Sequence, residues 1–289
     1  MIVVHSIVDL KAALQEVRHS KPDASVGFVP TMGYLHKGHA SLMERASAEN
    51  EITVLSIFVN PIQFGPNEDL DRYPRDAERD KALAEQCGID IIFMPTVEDM
   101  YPRPTKTKVV VSELTGLLCG ASRPGHFDGV TTVVSKLFHI VKPNRAYFGM
   151  KDAQQVAVIT QMVEDLNFDI EIVPCPIVRE ADGLALSSRN VYLSDEERTQ
   201  ALKLSQALKL VEEWMETEST MTAGELKQRI AAHIETAPLA SIEYVEIVSF
   251  PSLEPVSAES IASKRNSEWL IALAVRFGNT RLIDNKLLS

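Results

Sequence analysis

The sequence predicts an α/β protein: a doubly wound parallel sheet in an N-terminal domain, followed by a smaller α+β domain. Three observations carry that prediction. Up to about residue 178, short apolar runs alternate with amphipathic segments of helical period, as strand–helix–strand units do. One of these runs, Ile52–Val59, is almost continuously apolar, as expected of a parallel strand covered on both faces. From Ser194 the texture changes to long helices and then strand-like runs, which sets a first domain at residues 1–178 and a second at 179–289.

Composition narrows the function. A chain of 289 residues with 45% hydrophobic side chains can bury a core in each of two domains. Its formal charge of −11 argues against a nucleic-acid partner, which would need a basic face. A small anionic substrate would then be held by helix N-termini, a few lysines or arginines, and neutral amides. No run approaches the roughly 18 apolar residues of a membrane span, and the first residues show no basic region or cleavage site of a signal peptide. The cysteines, Cys87, Cys119 and Cys175, are odd in number and form no CxxC, which suits a reducing cytoplasm.

Val3 and Val4 open the first strand, and Ser6 or Asp9 can cap a helix from Leu10 to about Arg18. The second strand, Val26–Val29, breaks at Pro30, and VGFVPTMGYLHKGH re-forms as helix near Gly38, its body running from about Ala40 to Ala48. Gly33 permits a turn with positive φ, and Gly38 lets a ligand approach the backbone. Unpaired N–H groups at this helix start, with the helix dipole, make an anion site. His36 and His39 stand three apart on the first turn, so both can point at a phosphate bound there. Such a pair is also half of a zinc site, but the cysteines are scattered and no second ligand pair stands at metal spacing.

The third strand, Ile52–Val59, ends in Asn60-Pro61-Ile62-Gln63-Phe64, which sets two neutral amides at the carboxyl end of a central strand. Asn-Pro is equally turn chemistry, whereas Gln63 is not a turn former. An acidic segment from Pro66 to Arg75 precedes a helix from about Asp76 to Cys87 and a fourth strand at Asp90–Met94. Asp69, Asp71, Asp76 and Asp80 could touch Mg2+, but that ion takes only one or two carboxylates plus phosphates. Most therefore read as solvated or capping, and no metal ligand is assigned. Pro95–Pro104 reads as loop, Val109–Val111 as a short edge strand and Ser112–Leu118 as a short helix. Gly116–Gly129, with Arg123 and His126, reads as a long glycine-rich loop and so as a functional cover.

A helix at Val130–Val141 and a strand at Ala146–Phe148 lead to a second strand-to-helix turn, Gly149-Met150-Lys151-Asp152. Lys151 can neutralise phosphate charge, while Asp152 can cap the helix Ala153–Leu166 or hold a ribose hydroxyl. Of Gln154 and Gln155, only one can face the cleft. After a strand at Ile170–Val173, Leu186-Ser187-Ser188-Arg189-Asn190 is either a linker or a mobile phosphate clamp, serines donating hydroxyls and arginine a bidentate fork. Ser194 with Glu197 and Thr222 with Glu225 are capping boxes that open helices to about Thr217 and Thr236. Strand-like runs follow at Ile242–Val248, Trp269–Phe277 and Arg281–Asp284.

Five motifs in order, PTMGYLHKGH (Pro30–His39), FVNPIQF (Phe58–Phe64), SRPGHFDGV (Ser122–Val130), FGMKDAQQ (Phe148–Gln155) and LALSSRNVYL (Leu184–Leu193), resemble those of the pantoate–β-alanine ligase (pantothenate synthetase) family. That family lies within the nucleotidyltransferases of HIGH-type signature. The resemblance covers nearly the whole chain and implies a Rossmann-like N-terminal domain, a C-terminal domain that covers the active site, and ATP and Mg2+ as cofactors. It also implies the reaction: ATP adenylates the carboxylate of (R)-pantoate, pyrophosphate leaves, and β-alanine displaces AMP to give pantothenate. A homodimer in the cytoplasm, with no membrane or nucleic-acid partner, is implied as well.

Carried over by motif, Met32, Gly33, Tyr34, Leu35, His36, Lys37, Gly38 and His39 would cradle ATP. Gly149, Met150, Lys151 and Asp152 would hold its ribose and phosphates, and Val178 its adenine. Leu186, Ser187, Ser188 and Arg189 resemble the KMSKS-like phosphate loop. Gln63 and Gln155, with Asn60, would bind pantoate. His36, His39, Lys151 and Arg189 are the implied catalytic residues, worth most where charge builds on the phosphate oxygens. The glycine-rich loops, tipped by Arg123 and Arg189, are expected to close over the reactive intermediate. Lys37, Met150 and Ala153 depart from the residues usual in the family. The histidine motif alone equally allows a nucleotidyltransferase acting on a phosphate-bearing small molecule, but neutral Gln63 and Gln155 suit hydroxyls and one carboxylate.

Overall fold

Strands β1 (Ile2–Val4), β2 (Val26–Thr31), β3 (Ile52–Ile57), β4 (Ile91–Phe93), β5 (Arg145–Gly149) and β6 (Glu171–Cys175) form one parallel sheet in the order β1-β4-β3-β2-β5-β6. The structure is a computed structural model that describes all residues from Met1 to Ser289 except Asn67 and Asp69. Asp69, one of the carboxylates weighed for Mg2+, thus lies outside the described residues. The connecting helices are α1 (Ile7–Ser20), α2 (Lys37–Glu49), α3 (Ala77–Gln86), α4 (Val97–Met100), α5 (Leu118–Ser122), α6 (His126–Val141) and α7 (Ala153–Asp165).

Because successive strand residues point to opposite faces, a continuous apolar run must be covered twice. Val29, Leu55, Ile92, Tyr147 and Val173 pack with Ala40, Met43 and Ala46 of α2. On the other face Phe28 meets Phe138 of α6, ring centroids 6.4 Å apart. Helix α1 lies against α6, where Arg18 donates to the carbonyls of Val141 (2.7 Å) and Lys142 (3.0 Å) at the end of that helix. Each fully buried side chain of this kind contributes about 1.5–3 kcal/mol. The strand order reverses between β2 and β5, so a ligand crevice is expected beyond their carboxyl ends.

Several elements differ from expectation, each for a local reason. Strand β2 runs through Pro30 to Thr31. The Thr31 carbonyl accepts from Phe58 on the β3 side, so Pro30 faces β5, whose registered pairing with β2 has ended at Phe28 and Ala146. No donor is missed there. Val109–Val111 forms no strand: the Val109 N–H goes to Thr132 Oγ1 (3.1 Å) and its carbonyl accepts from Thr131 Oγ1 (2.6 Å), both on α6. Residues 112–115 form turns, and helix begins only at Leu118. The stretch Gly116–Gly129 is mostly helical rather than a long loop, with α5 inside it and α6 starting at His126.

By internal contacts the chain forms two units, Met1–Gly116, Gly120–Met150 and Val158–Pro176 in one, Leu117–Cys119, Lys151–Ala157 and Ile177–Ser289 in the other. The second unit carries an antiparallel sheet of β7 (Ala240–Ser249), β8 (Trp269–Phe277) and β9 (Thr280–Leu288). Its helices α8 (Asp195–Thr217) and α9 (Ala223–Glu235) begin at the capping boxes read from the sequence. Leu204, Leu208, Leu226 and Ile230 pack with Ile247, Ile271, Leu273 and Val275 in one core. Strand β9 continues past Asp284 because the polar pair that interrupts its apolar pattern is partnered: Arg179 donates to both Asp284 carboxylate oxygens at 2.7 and 2.8 Å.

Candidate active site

Beyond the end of β2 the backbone turns through two successive left-handed residues, Gly33 (φ 84°) and Tyr34 (φ 51°). Glycine adopts this freely, while for tyrosine it costs about 1–2 kcal/mol. A carboxylate from α3 holds the turn. Asp80, 1% exposed, accepts from the N–H groups of Tyr34 (2.8 Å) and Leu35 (2.6 Å). Burial pushes its carboxyl up from the ordinary value, and the two backbone donors only partly oppose that.

Helix α2 follows, with His36 as its N-cap. Its Nδ1 accepts from the Gly38 N–H at 3.1 Å, and His39 Nδ1 accepts from the His36 N–H at 3.2 Å. The rings lie 4.1 Å apart between centroids. A ring nitrogen that accepts carries no proton, so each neutral imidazole bears its proton on Nε2. The expectation of unpaired N–H groups at this helix start is narrowed, since the imidazoles take those of His36 and Gly38 in this first turn.

The remaining motif residues divide sharply. Leu35 has its side chain fully buried in the core, and the N–H groups of Tyr34 and Leu35 are spent on Asp80, so neither offers a backbone donor. Lys37 is exposed and Met32 half-buried. At the end of β5, a side chain at Gly149 would meet no atom within 4 Å, which leaves that strand end open, with Met150 half-buried next to it.

At the end of β3 the two amides have unequal roles. Asn60, 1% exposed, donates to Gln63 Oε1 (3.0 Å) and the Gly129 carbonyl (3.2 Å) and accepts from the Tyr101 hydroxyl (2.7 Å). Buried and bonded on both ends, it does not present its amide to a ligand as expected; it orients Gln63. Gln63 in turn donates one N–H to Met32 Sδ at 3.1 Å and keeps the other.

The backbone of Gln63 is fixed from α6. A Cβ at Gly129 would lie 2.5 Å from Gln63 Cα, so only glycine permits this approach. His126 Nε2 lies 3.0 Å from Arg123 Nη1, which can only donate, so Nδ1 carries the proton and donates to the Gln63 carbonyl at 2.8 Å. Arg123 also forms a bidentate ion pair with Glu68, Nε to Oε1 being 2.8 Å. Burial would raise the Glu68 carboxyl, but the guanidinium outweighs it and holds the group below its ordinary value. Arg123, expected as a mobile cationic tip, is committed to this network.

In the second unit, the Lys151 carbonyl accepts from Asn285 (3.0 Å), and Lys151 Nζ lies 3.8 Å from Asp152, which is exposed. Gln154 is buried and bound to backbone at Cys119 (2.9 Å) and Leu117 (2.7 Å), which leaves Gln155 as the half-buried glutamine. Val178 and Leu186 are brought together by a backbone bond of 3.0 Å. Ser187 caps the turn Ser188–Tyr192 by accepting from the Arg189 N–H at 3.2 Å. Next to it, Asn190 is tied to Glu180 (3.0 Å), itself paired with Arg198 (2.8 Å), so the loop carrying Ser188 and Arg189 has a braced base.

Asp80, Tyr101, His126 and Gly129 were not assigned these roles from sequence. Asp80 had a signal: it shares a buried helical stripe with Ala84 and Cys87, where a carboxylate needs a partner. No group of three or more His, Cys, Asp or Glu side chains able to hold a metal gathers among the described residues. No helix among them is long and apolar enough to cross a membrane.

A family profile described as Pantoate-beta-alanine ligase matches residues 2–287. A pantothenate synthetase of Caldicellulosiruptor bescii is 56% identical over 285 residues, covering 99% of this chain and 98% of that one. Among solved structures, the pantothenate synthetase of Thermus thermophilus superposes with a TM-score of 0.89 at 47% identity, over 99% of both chains. The pantoate-β-alanine ligase of Francisella tularensis, complexed with β-γ ATP and β-alanine, gives 0.78 at 35% identity, over 99% of this chain and 97% of that one.

Proposed function

The chain belongs to the pantoate–β-alanine ligase family and joins pantoate to β-alanine; from that premise we propose that the reaction runs through a pantoyl adenylate whose formation His36 and His39 promote. A pantoate carboxylate oxygen attacks the α-phosphorus of ATP, the bond to the β-phosphate oxygen breaks, and pyrophosphate leaves. The amine of β-alanine then attacks the acyl carbon, the bond to the phosphate oxygen breaks, AMP leaves, and the nitrogen loses a proton. Charge accumulates on the phosphate oxygens in the first step, so preorganised donors there are worth most. The reciprocal imidazole cap is the observation that carries this reading: it fixes both rings and puts the proton of each on Nε2.

The other roles follow from chemistry and place. In the first unit, the imidazoles of His36 and His39 with the strand end at Gly149 and Met150 form the nucleotide cradle, and Gln63 reads pantoate with its remaining N–H. In the second unit, Lys151, Ser187, Ser188 and Arg189 meet phosphate, Asp152 the ribose, Val178 and Leu186 the adenine side, and Gln155 pantoate. The donor set fits Mg2+ bound mainly through the nucleotide. The described residues build no cage, and this ion is commonly held by one or two carboxylates plus phosphates, with Asp152 the exposed carboxylate beside Lys151. When bound it would neutralise phosphate charge. A homodimer in the cytoplasm belongs to the same reading, and sedimentation of the full chain tests the first part.

Labelled pyrophosphate should exchange into ATP with pantoate present and β-alanine absent. An exchange that demands β-alanine would mean one concerted complex and no stored adenylate. His39→Ala should lose exchange and amide formation together.

A further inference from the structure

The turn between β2 and α2 depends on a carboxylate that the reaction itself does not use. Asp80 is 1% exposed, and both its oxygens are taken by the Tyr34 and Leu35 N–H groups at 2.8 and 2.6 Å. It comes from α3, far along the chain from the motif. The same turn is crowded from beneath: a Cβ at Gly33 would stand 3.0 Å from Asp80 Oδ2 and 2.9 Å from Ile57 Cγ2. Thr31 completes the support, accepting from the Gly33 N–H at 3.3 Å while donating to the Ser56 carbonyl at 2.8 Å. The Tyr34 backbone is left-handed, which a non-glycine residue keeps only when its surroundings over-determine it. His36 follows two residues later, and its own N–H binds His39.

We propose that Asp80 is a positioning residue for the ligation: by holding the Tyr34 and Leu35 N–H groups it sets the place of the paired imidazoles relative to the end of β2. This rests on the assignment of His36 and His39 to the adenylation step. Without the carboxylate, two N–H groups lose their acceptors, and Tyr34 relaxes toward right-handed backbone. The imidazole pair then shifts as a body. Displacements of about 1 Å in a reacting constellation cost on the order of 10²-fold in rate.

Asp80→Asn tests this in the full-length enzyme, because an amide offers one acceptor oxygen to two N–H donors. Expected are a fall in kcat and in pyrophosphate exchange on the order of 10²-fold, a KM for pantoate that stays within about twofold of the parent, and altered 15N signals of the His36 and His39 rings. Ala84→Gly, on the same helix, controls for general loosening and should leave kcat unchanged. Tyr34→Gly added to Asp80→Asn should restore about tenfold in kcat, since glycine keeps the left-handed turn unaided. A folded Asp80→Asn enzyme with parental kcat overturns the inference. So does an equal loss of kcat in Ala84→Gly at matched stability, or the absence of recovery in the double variant. If the single variant does not fold, the double variant is compared with Tyr34→Gly alone: a tenfold deficit supports the inference and parity overturns it. His36→Ala separates the two levels, since an active His36→Ala enzyme removes the underlying assignment, whereas an inactive one beside an active Asp80→Asn removes only the role of Asp80.

Discussion

A serine at position 36 would cap helix α2 as well as histidine does, but its short hydroxyl would not carry a donor as far out as the imidazole Nε2. His36→Ser should therefore separate capping from chemistry: a melting temperature within a few degrees of the parent, and kcat lower by about 10²-fold, as for loss of one preorganised donor. Thermal melts beside steady-state rates check both halves. Lys151→Ala and His39→Ala should each lower kcat by a similar factor if both act on the adenylation transition state, and an unchanged kcat in a folded Lys151→Ala enzyme would remove that residue from the mechanism. For Asn60 the expected effect lies elsewhere. Its truncation releases Gln63 Oε1 and leaves the hydroxyl of half-buried Tyr101 without its acceptor. Asn60→Ala should raise the KM for pantoate about tenfold and leave that for ATP alone, with a stability loss of about 1–3 kcal/mol.

Among elements, helix α6 and the 3-10 turn Pro61–Gln63 behave as one block because Gly129 lets their backbones touch. Gly129→Ala forces a methyl into space that Gln63 Cα and the Ile62 carbonyl already fill. Overpacking of this kind costs about 1–3 kcal/mol, and the KM for pantoate should rise with it; a variant that melts lower yet binds pantoate normally would show that α6 does not position Gln63. The loop at Ser187–Asn190 is braced in a comparable way by Glu180 and Arg198. Arg198 also pairs with Asp182 at 2.6 Å, so Arg198→Ala releases two carboxylates at once. It should slow the adenylation step several-fold, read as pyrophosphate exchange, with little change in the far-ultraviolet dichroism.

For the molecule as a whole, carboxylates held by arginines in each unit contribute to the acid side of stability. Burial would raise Glu68 and Glu243, but Arg123 in one case and Arg281 with Arg276 in the other outweigh it, so both are depressed from 4.5. A depressed folded value means that the unfolded chain binds the proton first. Their contribution is present above the ordinary carboxylate range and is lost as pH falls through the folded values. Asp80 has the opposite sign: its folded value is raised, so its ionisation opposes folding and acid relieves that. Urea unfolding between pH 7 and 3 should show a net loss of stability toward acid, and Arg123→Ala should flatten that slope.

The sequence by itself determined the strands, the two capping-box helices and the first strand-to-helix turn, because each is marked by interactions within a few residues: period, caps, and Gly33 at positive φ. It also offered residue types suited to phosphate and to a pocket of neutral amides. Only the tertiary structure decided how those groups are held. Asp80 meets Tyr34, Arg123 meets Glu68, and Gly129 lies under Gln63 across separations that no local pattern encodes. For the same reason Val109 finds its partners in two threonines of α6 rather than in a neighbouring strand. A buried donor or carboxylate must find a partner wherever the fold brings one, and that requirement is met by long-range geometry rather than by neighbours in the chain.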